Sequence, residues 1–427
     1  MDRRSFVKWI TALPLLAQVA LQDALGTGWA ETAKLSKDNI YTRLGVKTMI
    51  NGRGTWTYTG ASLELPQVRA AQEAAAKHFV NIFDLQHAVG RRLAELTGAE
   101  SGMITSGAAG AIASGTAGCI AGSDPERIWQ LPDTTGMKSE VVMMGGRSAF
   151  DNAIRLAGGK LVLADTPEQL ANAINSNTAM IYTTSNMRSS TTEFDTLATQ
   201  LAVAKHAGVP LFMDAADSCP PVDKLNRFAK MGCDLFTVSG GKGLCGPQSS
   251  GVLLGRKDLI EAALYNTNPW EGAVCRPMKV GKEEIMGCLA AVEAWYQMDL
   301  AAYQKEWGGR VERIAKLLQT VPGVSTSIET PTGSNCFPAL TVTWDEQAWS
   351  YTTSDCARDL LNGTPSISVV TNDNPSGVLA RLKRPRPERK GHRDRLQIVS
   401  MTLQPGEEII VGRRLRQLLL AAKKKSA

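Results

Sequence analysis

Residues 234–255 read DLFTVSGGKGLCGPQSSGVLLG, an apolar run that stops at Ser239 and passes into Gly240, Gly241, Lys242 and Gly243. Leu235, Phe236, Thr237 and Val238 have the β-branched and aromatic character of a buried strand. A solvated lysine needs no glycines around it. Backbone stripped of side chains lets a bulky group approach closely, so Lys242 is expected to face a ligand at a strand end. The plainer reading, a loop lysine in water, gives way only if partners for it occur elsewhere in the chain.

Residues 209–216 read VPLFMDAA, an apolar strand that delivers the carboxylate of Asp214 at its C-terminal end, one strand-helix-strand unit ahead of Lys242. Ligands of open α/β sheets bind beyond those strand ends. Residues 103–111 read MITSGAAGA, a turn in which Gly107, Ala108 and Ala109 open a helix over 108–122. Free N–H groups at a helix N-terminus attract phosphate, and small side chains let it sit close. No G-x-x-x-x-G-K is present in that turn, which argues against a nucleoside triphosphate. Phosphate cradle, strand-end carboxylate and strand-end amine are together the parts that pyridoxal 5′-phosphate (PLP) requires. The amine condenses with its aldehyde and serves as a base, the carboxylate holds its ring nitrogen protonated, and the turn anchors its phosphate.

The rest of the chain supplies a frame for such a site. Apolar runs at 141–144, 160–164, 179–183, 210–213 and 235–238 alternate with helical stretches such as 167–175 and 196–207, which predicts a mostly parallel, helix-covered sheet. From about Glu283 one long helical pattern leads through 310–319 into strand-like 339–344, 367–370 and 396–401, then a final helix over 407–422. The fold class is therefore α/β with a smaller α+β C-terminal domain. The division expected is 1–30 signal peptide, 31–65 N-terminal arm, 66–290 large domain and 291–427 small domain. A chain of 427 residues with 43% hydrophobic content has enough material for two cores.

Charge and composition narrow the function classes. The net charge of +6 equals the excess of one segment, 381–395, whose eight Lys/Arg face only Glu388 and Asp394. Its Pro385 and Pro387 suit an extended charged loop, and without interleaved aromatics it is weak support for nucleic-acid binding. Eight cysteines without a C-x-x-C spacing and four scattered histidines give metal or triad chemistry little to build on. Asp2, Arg3, Arg4, Ser5, Phe6, Val7 and Lys8 match a twin-arginine export signal, with small Gly28 and Ala30 suiting cleavage. The apolar run 9–21 falls short of the roughly 20 residues a membrane span needs. A periplasmic protein is expected, with a signal-anchored form as the alternative.

Residues 51–57 (NGRGTWT), the run from Gly90 (GRRLAELTGAESGMITSGAAGAIA), 239–260 (SGGKGLCGPQSSGVLLGRKDLI) and 276–284 (RPMKVGKEE) resemble the family of L-seryl-tRNA(Sec) selenium transferase-related PLP enzymes. That family includes selenocysteine synthase and D-glucosaminate-6-phosphate ammonia-lyase-like proteins. The resemblance spans about 39–420, and its most specific part is the lysine segment. It implies the aminotransferase-like architecture of PLP fold type I, assembled as a homodimer or higher homo-oligomer with sites at subunit interfaces.

Carried over on this resemblance, Lys242 is the Schiff-base lysine, Asp214 the ring-nitrogen partner, and Gly107, Ala108 and Ala109 the phosphate turn. Ser239 is a further phosphate ligand and Ala216 lies against one ring face. For the other face the candidates are Phe150 and Ser148, with Arg147 and Ser148 standing where relatives often place histidine or an aromatic. Arg53 and Arg276 either clamp a substrate carboxylate or phosphate or make ordinary ion pairs, while Lys279 and Lys282 are alternatives that face the phosphate from a neighbouring subunit. Gln86 and His87 read as ordinary helix residues. The activity expected is α-proton abstraction from a small amino acid or amino sugar acid followed by β-elimination, of ammonia-lyase type. Selenium transfer to seryl-tRNA(Sec), transamination and racemisation are the alternatives, as is a PLP-retaining protein without turnover. Export, and the short stretch ahead of the family core, weigh against a tRNA substrate.

Overall fold

The computed structural model describes residues 39–144, 147–185, 193–331, 333–371 and 395–426. The expected signal segment, residues 31–38 of the arm and residues 381–394 of the basic segment lie outside the described residues.

A seven-stranded sheet carries the large body. Its strands are β2 (Ser101–Thr105), β3 (Glu140–Met144), β4 (Lys160–Ala164), β5 (Thr178–Thr184), β6 (Leu211–Asp214), β7 (Leu235–Ser239) and β8 (Gly251–Gly255). They are ordered β2-β8-β7-β6-β5-β3-β4, with β1 (Met49–Gly52) lying outside this sheet. The five runs read from the sequence fall on β3 to β7, which pair in parallel, while β8 runs antiparallel to both β7 and β2. Helices cover both faces, so β6 and β8 are buried throughout and β5 and β7 nearly so, as expected for strands of a covered parallel sheet.

The smaller body has an antiparallel sheet of β9 (Ser325–Glu329), β10 (Ala339–Thr343) and β12 (Leu396–Val399), beside the pair of β1 with β11 (Ser366–Val369). Ile50 of β1 packs into that body's core with Ile314, Val342, Ile367 and Val411, so the arm expected at 31–65 contributes a strand to the C-terminal body. The pattern read as one helix from Glu283 onward breaks into Lys282–Gln297 and Leu300–Leu318. Asp299 causes the break: its side chain accepts from the N–H groups of Ala301 and Ala302, a cap that starts a new helix. The second of these helices joins the two bodies, since Trp307 belongs to the large core and Val311, Ile314 and Leu318 to the small one. The expected boundary at 290 therefore falls inside a helix packed wholly on the large body, and the chain changes bodies one helix later.

Candidate functional site

The C-terminal edge of the parallel sheet brings most of the expected residues together. Asp214 ends β6 and Ser239 ends the adjacent β7, and the Ser239 N–H donates to the Ala216 carbonyl at 3.1 Å. Ser239 is registered opposite Gly251 of β8, which is registered in turn opposite Thr105 of β2. Thr105 leads into helix α1 (Gly107–Ala121). Three neighbouring strands thus place Ser239 beside the Gly107 turn, three residues before Lys242. Lys242 is half-buried, and its Nζ lies 5.8 Å from the centroid of the Phe150 ring. Among the described residues no acid forms an ion pair with that ammonium.

Asp214 is only 8% exposed, and each of its oxygens takes one donor. Oδ1 accepts from Ala216 N–H at 3.0 Å and Oδ2 from the Tyr182 hydroxyl at 2.9 Å. Burial pushes the carboxyl above the ordinary aspartate value; the Tyr182 and Ala216 donors and the Lys242 charge oppose that shift, and Asp217 adds to it. Tyr182 was missed in the sequence, although a tyrosine inside the buried run 179–183 announces a hydroxyl in need of a partner.

The Gly107 turn has the form of a cradle. Gly107 has φ +73°, and a Cβ there would meet nothing within 4 Å, so the turn opens onto free space. Ser106 makes no side-chain cap, which leaves the first N–H groups of α1 available to an anion. Gly251 forms the floor: a Cβ on it would lie 2.4 Å from the Gly107 carbonyl carbon and 2.6 Å from the Ala108 nitrogen. Gly251→Ala is therefore expected to displace the turn and raise the PLP dissociation constant about tenfold, ~1.4 kcal/mol, within the ~1–3 kcal/mol range of overpacked sites. Fluorescence titration of the apoprotein with PLP measures it, circular dichroism checks the fold, and unchanged affinity would remove this turn as the phosphate seat.

The glycines around Lys242 have a different use from the one read in the sequence. A Cβ on Gly240 would lie 2.0 Å from Ser250 Oγ, on Gly241 2.4 Å from Gln248 Cα, and on Gly243 2.2 Å from the Cys219 carbonyl oxygen. These three glycines let the lysine loop fold tightly onto protein, and the glycine of the site that opens onto free space is Gly107.

The other candidates divide. Arg53 is buried, donates from Nη1 to the Val369 carbonyl at 2.6 Å, and lies over the rings of Trp56 and Tyr58. Its segment docks on the lysine loop: Ser62 N and Oγ both donate to the Gly241 carbonyl, and Gln248 Nε2 donates to the Thr57 carbonyl at 2.9 Å. Arg276 is not brought to Lys242 in its own chain. Cys275 N–H donates to the Asn266 carbonyl, and Asn266 Nδ2 donates to the carbonyl of Gly122, at the far end of α1 from the turn. That helix is 15 residues long, so its ends are about 21 Å apart. Arg147 is held by Asp151, with Nη2 2.8 Å from Oδ1, while the Ser148 hydroxyl accepts from Phe150 N–H, so of the three Phe150 approaches the lysine. Gln86 is more than an ordinary helix residue: its amide pairs with both backbone groups of Ile104, at 2.7 and 3.0 Å, stitching its helix to β2 behind the turn.

A second contact missed in the sequence ties the two bodies together here. Asp217 accepts from Ser185 Oγ and from Asn335 Nδ2, each at 3.0 Å, and its carbonyl accepts from Asn335 N–H at 2.8 Å. Asn335 comes from the β9–β10 connection, and nothing in its local sequence points to Asp217.

A buried strand-end carboxylate, an amine without an acidic partner among the described residues and an uncapped helix N-terminus opening onto space fit the ring nitrogen, aldehyde and phosphate of PLP, and together with the sheet order they define a PLP enzyme of the aminotransferase-like fold. The aminotransferase class-V family matches residues 162–335. The chain is 30% identical over 392 residues to 5′-C-glycyluridine monooxygenase-decarboxylase of a Streptomyces species, covering 89% of this chain and 92% of the relative. It is also 30% identical over 304 residues to D-glucosaminate-6-phosphate ammonia lyase of Salmonella typhimurium, covering 68% and 78%. Against an L-seryl-tRNA(Sec) selenium transferase of Moorella thermoacetica it is 24% identical over 421 residues, covering 89% and 83%. A solved D-glucosaminate-6-phosphate ammonia-lyase superposes with a TM-score of 0.72 at 28% identity, covering 90% of this chain and 99% of that one. The chain belongs to the selenium transferase-related family of PLP enzymes.

Proposed function

We infer that this enzyme acts on a small amino acid or amino sugar acid, with Lys242 taking the α-proton and a β-leaving group departing, as in an ammonia lyase. The observation that carries this is Asp214 at the end of β6 and Lys242 just beyond the end of β7, where Ser239 lies beside the open Gly107 turn. Bound at those residues, PLP supplies an electron sink for the charge left on the α-carbon. Lys242 Nζ, half-buried and without an ion pair to any described acid, would move the proton. Asp214 would accept the ring N–H through its carboxylate, the N-terminus of α1 and Ser239 would hold the phosphate, Ala216 and Phe150 would line the two ring faces, and Arg53 would meet an acidic group of the substrate. After elimination, water hydrolyses the released enamine to ammonia and an oxo acid.

Similarity to the Salmonella ammonia lyase and to its solved counterpart supports this reading over selenium transfer, where the identity is lower. Incubating the holoenzyme with amino acids, amino sugar acids and their phosphates, and following ammonia, carbon dioxide and oxo acid, tests it. Ammonia with an equivalent of oxo acid is expected; carbon dioxide in place of ammonia, or activity with seryl-tRNA alone, would overturn it.

The assembly proposed is a homo-oligomer. Phe79, Val80, Phe83 and Trp270 are exposed, and the last two rings lie 4.9 Å apart, the apolar surface that a second copy would cover. Among the described residues no helix is long and apolar enough to cross a membrane. Export to the periplasm is proposed from the twin-arginine segment 2–8, the apolar run 9–21 and the small residues Gly28 and Ala30.

A further inference from the structure

We propose that the Tyr182 hydroxyl is a positioning group for Asp214, fixing the carboxylate's orientation and favouring its ionised form, so that the cofactor's ring nitrogen stays protonated. The inference rests on the reading of Asp214 as the partner of that nitrogen. β5 and β6 pair in parallel with Tyr182 opposite Phe212 and Thr184 opposite Asp214. Side chains two residues apart on a strand share a face, so Tyr182, Phe212 and Asp214 lie on one side of the sheet. The Tyr182 ring is fully buried and set edge-on to Phe212, with centroids 6.2 Å apart and planes 74° apart, which holds its hydroxyl 2.9 Å from Asp214 Oδ2.

The hydroxyl has chemical work that the ring does not. A phenylalanine would fill the same space in the core, and among the described residues the tyrosine hydroxyl's partner is Asp214. Asp214 is buried where desolvation favours the neutral acid. A neutral acid would withdraw the negative charge that holds a proton on the ring nitrogen. Lys242 and the Ala216 N–H act with Tyr182 to keep the charge, whereas Asp217 acts against it, and Asp151 is the second carboxylate near the tyrosine. Ala216 serves Oδ1 and Tyr182 serves Oδ2, so loss of the tyrosine hydroxyl removes one of the two hydrogen bonds that favour the shared charge.

The test uses the full chain loaded with PLP carrying nitrogen-15 in the ring, whose NMR signal reports protonation of that nitrogen directly. In Tyr182→Phe the nitrogen is expected to lose its proton at least about one pH unit below the wild-type value, with kcat lowered about tenfold and KM unchanged. Asp214→Asn should lose the protonated nitrogen throughout the neutral range, and the double variant should match Asp214→Asn alone. If Tyr182→Phe titrates like wild type while Asp214→Asn does not, Tyr182 is only a core residue and the role of Asp214 stands. If Asp214→Asn keeps a protonated nitrogen, the underlying reading of Asp214 fails instead. Should the phenylalanine variant fold poorly, 3,5-difluorotyrosine placed at 182 alone keeps the ring and strengthens the donor. It should move the titration upward, and an unmoved titration would refute the proposal.

Discussion

Lys242→Ala is expected to lower kcat roughly 10⁴-fold, because one side chain supplies both the amine that holds the cofactor aldehyde and the base that moves the α-proton. The fold should survive. Lys242 is only half-buried, its ammonium makes no ion pair with a described acid, and the tight turns of its loop come from Gly240, Gly241 and Gly243 packing on protein. PLP should still bind through the phosphate turn, but borohydride treatment should fix no cofactor mass on the variant, whereas in wild type that mass should appear on the peptide containing Lys242. Added methylamine should restore part of the cofactor exchange, since a free amine replaces the lost one, but little of the proton transfer. A variant with more than a tenth of wild-type turnover would transfer the role to another lysine.

The second large effect is expected at Asp214. Asp214→Ala should lower kcat roughly 10³-fold, the size seen when a preorganised charge or donor is removed from a buried reacting centre. Stability should respond in two opposed ways. The Tyr182 hydroxyl and the Ala216 N–H lose their acceptor, at about 1–3 kcal/mol each for orphaned buried donors, while the cost of burying a carboxylate disappears. Asp214→Asn keeps an acceptor for one donor and so should melt closer to wild type than Asp214→Ala, with kcat lowered to a similar extent. Thermal melts of the apoproteins alongside kcat separate the two effects, and equal activity in the aspartate and asparagine enzymes would show that the ring nitrogen needs no anion.

Residues that end strands were legible because a strand leaves a periodic trace. The runs at 210–213 and 235–238 mark where β6 and β7 lie; Asp214 closes the first strand, Ser239 closes the second, and Lys242 stands just beyond it. The Gly107 turn was legible for a similar reason, as a cluster of small residues where β2 passes into α1. Side-chain partners drawn from distant segments left no such trace. Tyr182 and Asp214 are 32 residues apart and Asp217 and Asn335 118 apart, and strand pairing or docking of the two bodies decides that they meet. The purpose of the glycines was read incorrectly because close approach to a ligand and close approach to protein demand the same missing Cβ. Packing distinguishes Gly107, which opens onto space, from Gly240, Gly241 and Gly243, which do not.

The amino-acid sequence by itself determined the alternation of strands and helices, the order of phosphate turn, Asp214 and Lys242, and from these the cofactor, because each depends on local pattern and chain order. Tertiary structure alone decided that β8 runs antiparallel with Gly251 under the turn, that Tyr182 serves Asp214, and that Arg276 stands at the opposite end of α1 from the Gly107 turn. Those outcomes depend on register and on packing between segments far apart in the chain, where the close-packed interior admits one arrangement and neither composition nor periodicity records which.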